Sequence, residues 1–358
     1  MTALLDYRSN RIVELMGQPD DHRDADWLKE SLQQAVMLEL ATLPPYLCGL
    51  WSIEDPDRDG DVFEAIRRIV FDEMSHLALA GNMLTTIGGA PRLADPRTVP
   101  TYPGPLPGGV RPGLTVFLSG LTKESLDLYS RIEAPDDPLA ESRASTSIGD
   151  FYTAILEVFR THADLITGAR QLTRNLSHHG QGNSVVALTG LPQVTAAIEI
   201  IKEQGEGTSG SPVNPHPGEP GEPAHYYVFR EIFHGRKLVK TAENPDRWEF
   251  TGDEIPMPRA LPMATVPAGG WGTSGSAVVD ARTRELLDAV NHSYSEMLRL
   301  LEGAWQTDLP AKAKELLTKA IGAMFDLQEP ARTLMERPLP DGSGRTFGPE
   351  FRYTDDRT

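Results

Sequence analysis

A single cysteine, Cys48, stands in 358 residues. That excludes an internal disulfide and any thiolate-rich zinc or iron–sulfur site, since each needs several cysteines. Any metal held by this chain is therefore expected to rest on carboxylates and imidazoles. Basic side chains are in deficit: 34 Lys and Arg face 51 Asp and Glu, and the net charge of −17 repels a phosphate backbone, so no nucleic-acid partner is expected. No segment approaches the ~20 consecutive apolar residues of a membrane helix. The run Met1 to Arg8 lacks the basic-then-apolar plan of a secretory signal. These features lead to the expectation of a soluble, cytoplasmic protein with no membrane partner.

Aromatics are also scarce, at 7%, and apolar residues recur at helical rather than alternating spacing. The spacing predicts an all-α chain. A first helix is expected from Asp26, as N-cap, to about Trp51, and a second from Asp61 to Ile87, stopped by Gly88-Gly89-Ala90-Pro91. The short linker between them makes the pair antiparallel neighbours. Gly88 to Gly113 is rich in Pro and Gly and reads as an ordered crossover. An amphipathic segment, Leu114 to Ile132, then precedes a third long helix, Ser147 to about Leu176, and a fourth, Leu191 to Gln204, with Pro192 in its first turn. Gly205 to Pro223 has the composition of a long insertion, and helical character resumes at Ala224. Residues 236–280 read as irregular, followed by helices at about Ala281–Trp305 and Leu309–Glu336. The expected organisation is one elaborated domain, with a four-helix core over about 26–235 and C-terminal helices over about 281–336.

Three polar residues fall where an apolar stripe should run. On the first helix Leu28, Leu32, Ala35, Leu43 and Tyr46 recur every three or four residues, and Glu39 is in the same series. On the second, Val62, Ile66, Ile69, Leu77, Ala80 and Leu84 define the stripe, with Glu73 and His76 inside it at i and i+3. An unpaired buried carboxylate is costly, so two of them with an imidazole between need a cation, and a metal ion supplies it. The other half of such a site is open from spacing alone. Glu157 lies at the edge of the third helix's stripe, Glu199, Glu203 and Glu206 share one side of the fourth, and Glu231 with His234 forms a second Glu-x-x-His, while His225 opens the segment after the insertion. Spacing favours Glu231 and His234. Tyr46, Tyr152 and Tyr226 are candidates for hydrogen bonds around the site, against simple packing.

Glu39-Leu40-Ala41-Thr42-Leu43-Pro44-Pro45-Tyr46-Leu47, Phe71-Asp72-Glu73-Met74-Ser75-His76, Ile148-Gly149-Asp150-Phe151-Tyr152, Gln204-Gly205-Glu206-Gly207 followed by His225-Tyr226-Tyr227, and Gly348-Pro349-Glu350-Phe351 together are suggestive. They resemble the ferritin-like domain associated with iminophenyl-pyruvate dimer synthases of violacein and rebeccamycin biosynthesis. The resemblance spans nearly the whole chain. It implies a ferritin-like four-helix bundle with crossover and a carboxylate-bridged dinuclear site, ligated by Glu39, Glu73 and His76 in one half and Glu157, Glu206 and His225 in the other. It thus prefers His225 over His234, with Glu39 and one Glu of the second half as bridges.

Carboxylate and imidazole donors suit iron first, with manganese or a mixed iron–manganese pair as alternatives. The expected function is an O2-dependent dinuclear-metal oxidoreductase of secondary metabolism, whose partners are dioxygen and a small organic substrate, such as an aromatic amino-acid derivative. A homodimer is one assembly this allows. Segments Thr101–Gly113 and Gly207–Pro223 are candidates to close over the substrate. The competing classes are a metal-handling protein without organic substrate and a non-catalytic scaffold. A substrate-sized cavity beside the metals, walled by the C-terminal helices, would favour the enzyme.

Overall fold

A computed structural model describes residues 6–135, 147–175, 184–206, 211–216, 222–243, 246–273 and 276–355, with the side chain of Glu206 outside the described residues. After a short helix α1 (Arg11–Met16), the chain enters α2 (Ala25–Ser52). Its N-cap is Asp24, two residues before the expected Asp26: the Asp24 carboxylate accepts from the backbone N–H groups of Asp26 and Trp27, both at 3.0 Å. Helix α3 (Gly60–Thr86) pairs with α2 along its length. Both helices carry the apolar stripes that their spacing predicts, and the residues on these faces are buried.

Pro44 and Pro45 lie inside α2 without ending it. Proline removes the N–H that would bond the carbonyl four residues earlier. For Pro45 that carbonyl is Ala41 O, and it is served instead by the Tyr102 hydroxyl at 2.8 Å. Tyr129 Oη donates in turn to Pro45 O at 2.7 Å.

The third and fourth rods of the core are each built from two pieces. Helices α4 (Lys123–Ile132) and α5 (Ile148–Thr161) both lie against α2, while α6 (Leu191–Glu206) and α7 (His225–His234) contact α3. Across the bundle α4 pairs with α7 and α5 with α6. Two of the expected boundaries are corrected here. Leu114 to Leu121 is not helical, because helix starts only where Thr122 and Ser125 form a reciprocal capping box. The third helix ends at Thr161 rather than near Leu176. Thr167 is drawn to the end of α3, its N–H and hydroxyl donating to Thr86 O at 2.8 and 2.7 Å, and a two-residue strand β1 (Arg174–Asn175) then pairs with β2 (Ser184–Val185).

Contrary to the irregular reading, β3 (Arg236–Glu243) and β4 (Asp246–Glu254) form an antiparallel pair. The prolines that suggested irregularity, from Pro256 onward, all follow it. Helix α8 (Ala281–Gln306) lies on α3, and Gly81 permits the approach: a Cβ there would stand 2.3 Å from the Trp305 ring. The expected helix 309–336 is two, α9 (Pro310–Phe325) and α10 (Gln328–Met335), because Pro330 cannot bond Asp326 O and its ring would clash with it. Among the described residues no helix is long and apolar enough to cross a membrane.

Candidate metal centre

The breaks in the third and fourth rods fall at one level of the bundle, and a buried polar cluster sits there. Glu39 comes from the middle of α2, and Glu73 and His76 from successive turns of α3. Glu133 is the residue that caps α4, and His225 opens α7. Each is at most 8% exposed. Two groups of donor atoms form, Glu39–Glu73–His76 and Glu73–Glu133–His225, each with its atoms within 4.8 Å of one another. Glu73 belongs to both, so the shared carboxylate is Glu73 rather than Glu39.

The imidazoles are oriented alike. His76 Nδ1 lies 3.3 Å from Glu73 Oε1, while its Nε2 meets Gln204 Oε1 at 2.9 Å. His225 Nδ1 lies 3.1 Å from the same Glu73 oxygen, and its Nε2 meets Asp72 Oδ2 at 3.3 Å. An outer acceptor on Nε2 fixes the tautomer with the proton there, leaving the Nδ1 lone pair facing the carboxylates, the arrangement by which proteins aim a histidine at a metal. His225 Nδ1, though close to Glu73, makes no hydrogen bond in that direction. A buried ring nitrogen without a proton partner, turned toward carboxylates, fits a cation between them.

Outer hydroxyls hold the carboxylates. Tyr152 Oη donates to Glu39 Oε1, Tyr46 Oη donates to Glu133 Oε1, and Thr42 Oγ1 donates to Glu73 Oε2 at 2.9 Å. Both tyrosines, buried and beside carboxylates, titrate well above their ordinary value and stay protonated donors. Tyr226 instead makes an edge contact with Tyr227.

Without a cation the cluster retains protons. Burial and the neighbouring Glu73 push Glu39 up to about 8 and Glu133 up to about 7. Burial alone would lower both histidines, but the carboxylates outweigh it: Glu73 and Glu39 lift His76 to about 9, and Asp72, Glu73 and Glu133 lift His225 to about 10. Burial opposes ionisation of Glu73 as well, yet His76 and His225 hold it well below the usual carboxylate range.

Of the six residues singled out from the sequence, Glu39, Glu73, His76 and His225 meet here. Glu157 does not: it is exposed on the outer face of α5 and pairs with Arg160 at 2.6 Å. Glu206 ends α6 in the neighbourhood, but its side chain lies outside the described residues. The alternative Glu-x-x-His is elsewhere. Glu231 accepts from Lys237 Nζ and Leu238 N, each at 2.8 Å, and exposed His234 stacks on Phe250. Glu133, absent from the sequence reading, continues the buried series Leu126, Tyr129, Glu133 at i, i+3 and i+7, a register that was available to find it.

The cavity touching the cluster is small, about 40 Å3, walled by Glu39, Glu73, His76, Glu133 and residues of α5 and α6. The C-terminal helices do not reach it. They wall a separate apolar cavity lined by other residues of α2 and α3, so the expected joint arrangement of metals and C-terminal helices is not found.

The fold and this cluster accord with three likenesses. A family model described as Ferritin-like matches residues 32–234, which include all five clustered residues. The chain is 28% identical over 345 residues to the 2-imino-3-(indol-3-yl)propanoate dimerase of Chromobacterium violaceum, an alignment covering 91% of this chain but 30% of that protein. The chain thus spans about a third of its curated relative. A crystal structure of a ferritin-like protein from Caulobacter vibrioides superposes with a TM-score of 0.55 at 20% identity, covering 91% of this chain and 97% of the other. With more than half of its length matched, and with carboxylates and imidazoles converging between its helices, this chain belongs to the Ferritin-like family.

Proposed function

We propose that the chain is a dinuclear-metal oxidoreductase that uses dioxygen to oxidise a small organic molecule derived from an aromatic amino acid. The observation that carries this reading is the pair of ligand groups joined through Glu73, with His76 Nδ1 and His225 Nδ1 turned toward it from either side. Glu39, Glu73 and His76 would hold one ion, and Glu73, Glu133 and His225 the other. Hard carboxylate oxygens with imidazole nitrogen suit iron or manganese, which supply the electrons for reducing dioxygen. Glu39, Glu73 and Glu133 together with Asp72, behind His225, make four carboxylates, enough to neutralise two divalent ions in a buried site.

The residues around the cluster have definable tasks. Gln204 and Asp72 fix the imidazole tautomers, and Thr42, Tyr46 and Tyr152 hold one oxygen of each carboxylate so that the other is free to ligate. The tyrosine protons remain at Oη, donated to the carboxylates. The named activity of the Chromobacterium violaceum relative, on an indolyl imino acid, supports an aromatic imino or keto acid as the substrate class here.

One observation favours a second reading. A cavity of about 40 Å3 beside the cluster admits water or dioxygen rather than an aromatic ring, as a metal-handling protein would require. Anaerobic iron loading, exposure to oxygen and absorption spectroscopy, with and without aromatic amino-acid and keto-acid derivatives, separates the two. The enzyme reading expects about two ions per chain and oxygen uptake that continues in proportion to added substrate. Uptake that stops after one round of metal oxidation, whatever derivative is added, sinks it in favour of metal handling, and a metal content near zero sinks both.

A further inference from the structure

The apolar cavity walled by the C-terminal helices has no place in the reading above. It encloses about 240 Å3 between the α2–α3 pair and helices α8 and α9, with Leu43, Met74, Met297 and Ala320 representative of its wall, and it shares no wall residue with the cavity at the cluster. Positions 40, 43, 44 and 47 of α2 and 71, 74, 77 and 78 of α3 face it. At 100° per residue the α2 positions lie about 40–140° round the helix from Glu39 and the α3 positions about 40–160° from Glu73, so the cavity flanks the faces that carry the cluster.

A solvent-open cleft of this volume, lined mostly by apolar side chains with a single charged group at its edge, has the form of a small-molecule site. Its polar features are few. Arg174, on β1, is exposed at the cavity, and its guanidinium makes no hydrogen bond or ion pair among the described residues. Tyr294, on α8, contributes its ring to the wall, while its buried hydroxyl has no hydrogen-bond partner among the described residues. A guanidinium at the edge of an apolar wall, in a chain of net charge −17, is suited to an anion, and its fork matches a carboxylate.

We propose that this cavity is a second binding site, for a monocarboxylate with a compact apolar body. A cavity of ~150 Å3 accommodates the six carbons of benzene, so by the same ratio this one takes a body of about ten carbons, aromatic or short aliphatic. The body lies between α3 and α9, and the carboxylate meets Arg174.

The test uses the full chain, with 2-naphthoate as the acid and 2-naphthamide as its uncharged counterpart, titrated by calorimetry and by fluorescence. One saturable site per chain is expected, with the acid bound more tightly. Ala320→Leu, which fills the wall, should weaken both ligands at least ~10-fold. Met324→Phe, on the same wall, serves if that variant loses its helical circular dichroism. Arg174→Gln should weaken the acid ~10-fold and leave the amide unchanged, and His76→Ala, at the metal cluster, should alter neither. Absence of saturable binding at ~1 mM, or binding indifferent to both wall substitutions, overturns the site. Equal affinity for acid and amide in the unsubstituted protein overturns the carboxylate assignment.

Discussion

Metal uptake should be strongly proton-coupled, and the cluster's own titration sets the size of the effect. With His225 at about 10, His76 at about 9, Glu39 at about 8 and Glu133 at about 7, the metal-free cluster at pH 7 holds both imidazole protons, most of one proton on Glu39 and half of one on Glu133. Ligation needs all of these groups deprotonated, so filling the site at pH 7 should release roughly three protons per chain, falling to about 1.5 at pH 9 as the carboxylates ionise beforehand and His76 reaches half-titration. By linkage, the overall association constant for two ions rises roughly a thousandfold between pH 7 and 8. Anaerobic Mn(II) titration by calorimetry, in buffers of different ionisation enthalpy, counts the protons directly. His225→Ala should release about one fewer proton. A proton count near zero at pH 7, with metal bound, would refute the reasoning, because it would mean that the imidazoles already face each other unprotonated.

The same shifts make the metal-free protein sensitive to alkali. For the histidines, raised from 6.5, the stabilising proton is fully present below about pH 6.5 and lost as pH rises through about 9 and 10; Glu39 and Glu133, also raised, push stability the same way through about 8 and 7. The melting temperature of the metal-free protein should therefore fall between about pH 6.5 and 10, and a flat profile measured by calorimetry would contradict it. Glu133→Ala should lower bound metal from about two ions to about one, whereas Glu157→Ala should leave it unchanged; elemental analysis of both variants decides, and equal losses would return Glu157 to the site. His225→Ala should likewise lower occupancy and His234→Ala should not. Asn82→Ala should destabilise the fold by ~2–4 kcal/mol in urea unfolding, since its side chain, fully buried, bonds Leu172 N and O, Val186 O and Trp305 Nε1 at 2.7–3.2 Å; a cost below ~1 kcal/mol would mean that those groups find other partners.

The legible part of the molecule is the part whose helices run uninterrupted. Helices α2 and α3 present enough turns for Glu39, Glu73 and His76 to stand out as polar residues in an apolar register, and their burial follows directly. Glu133 escaped because it is the single residue past a ten-residue helix, where periodicity has two turns to work with and then ends. Glu157 misled for a related reason. The exposed Thr153 and Arg160 flank it on one face of α5, and spacing placed it only at the edge of the buried stripe. His225 was visible through resemblance and not through spacing, since its partners Asp72 and Glu73 lie some 150 positions earlier in the chain. The β3–β4 pair was hidden by the prolines beyond it, although Leu238, Val239, Trp248 and Phe250 mark both of its strands.

The interruption of the third and fourth rods at one level gives the family a way to diversify. Segments inserted between α4 and α5, and between α6 and α7, enter and leave the bundle next to Glu133, Gln204 and His225, so their length can change without altering how the rods pair. Lengthening such a loop is entropically cheap, ~0.6 kcal/mol for each doubling. Such changes leave Glu39, Glu73 and His76 tied to two continuous helices. Relatives with very different substrates are the expected outcome of such a division between a rigid scaffold and interchangeable surroundings.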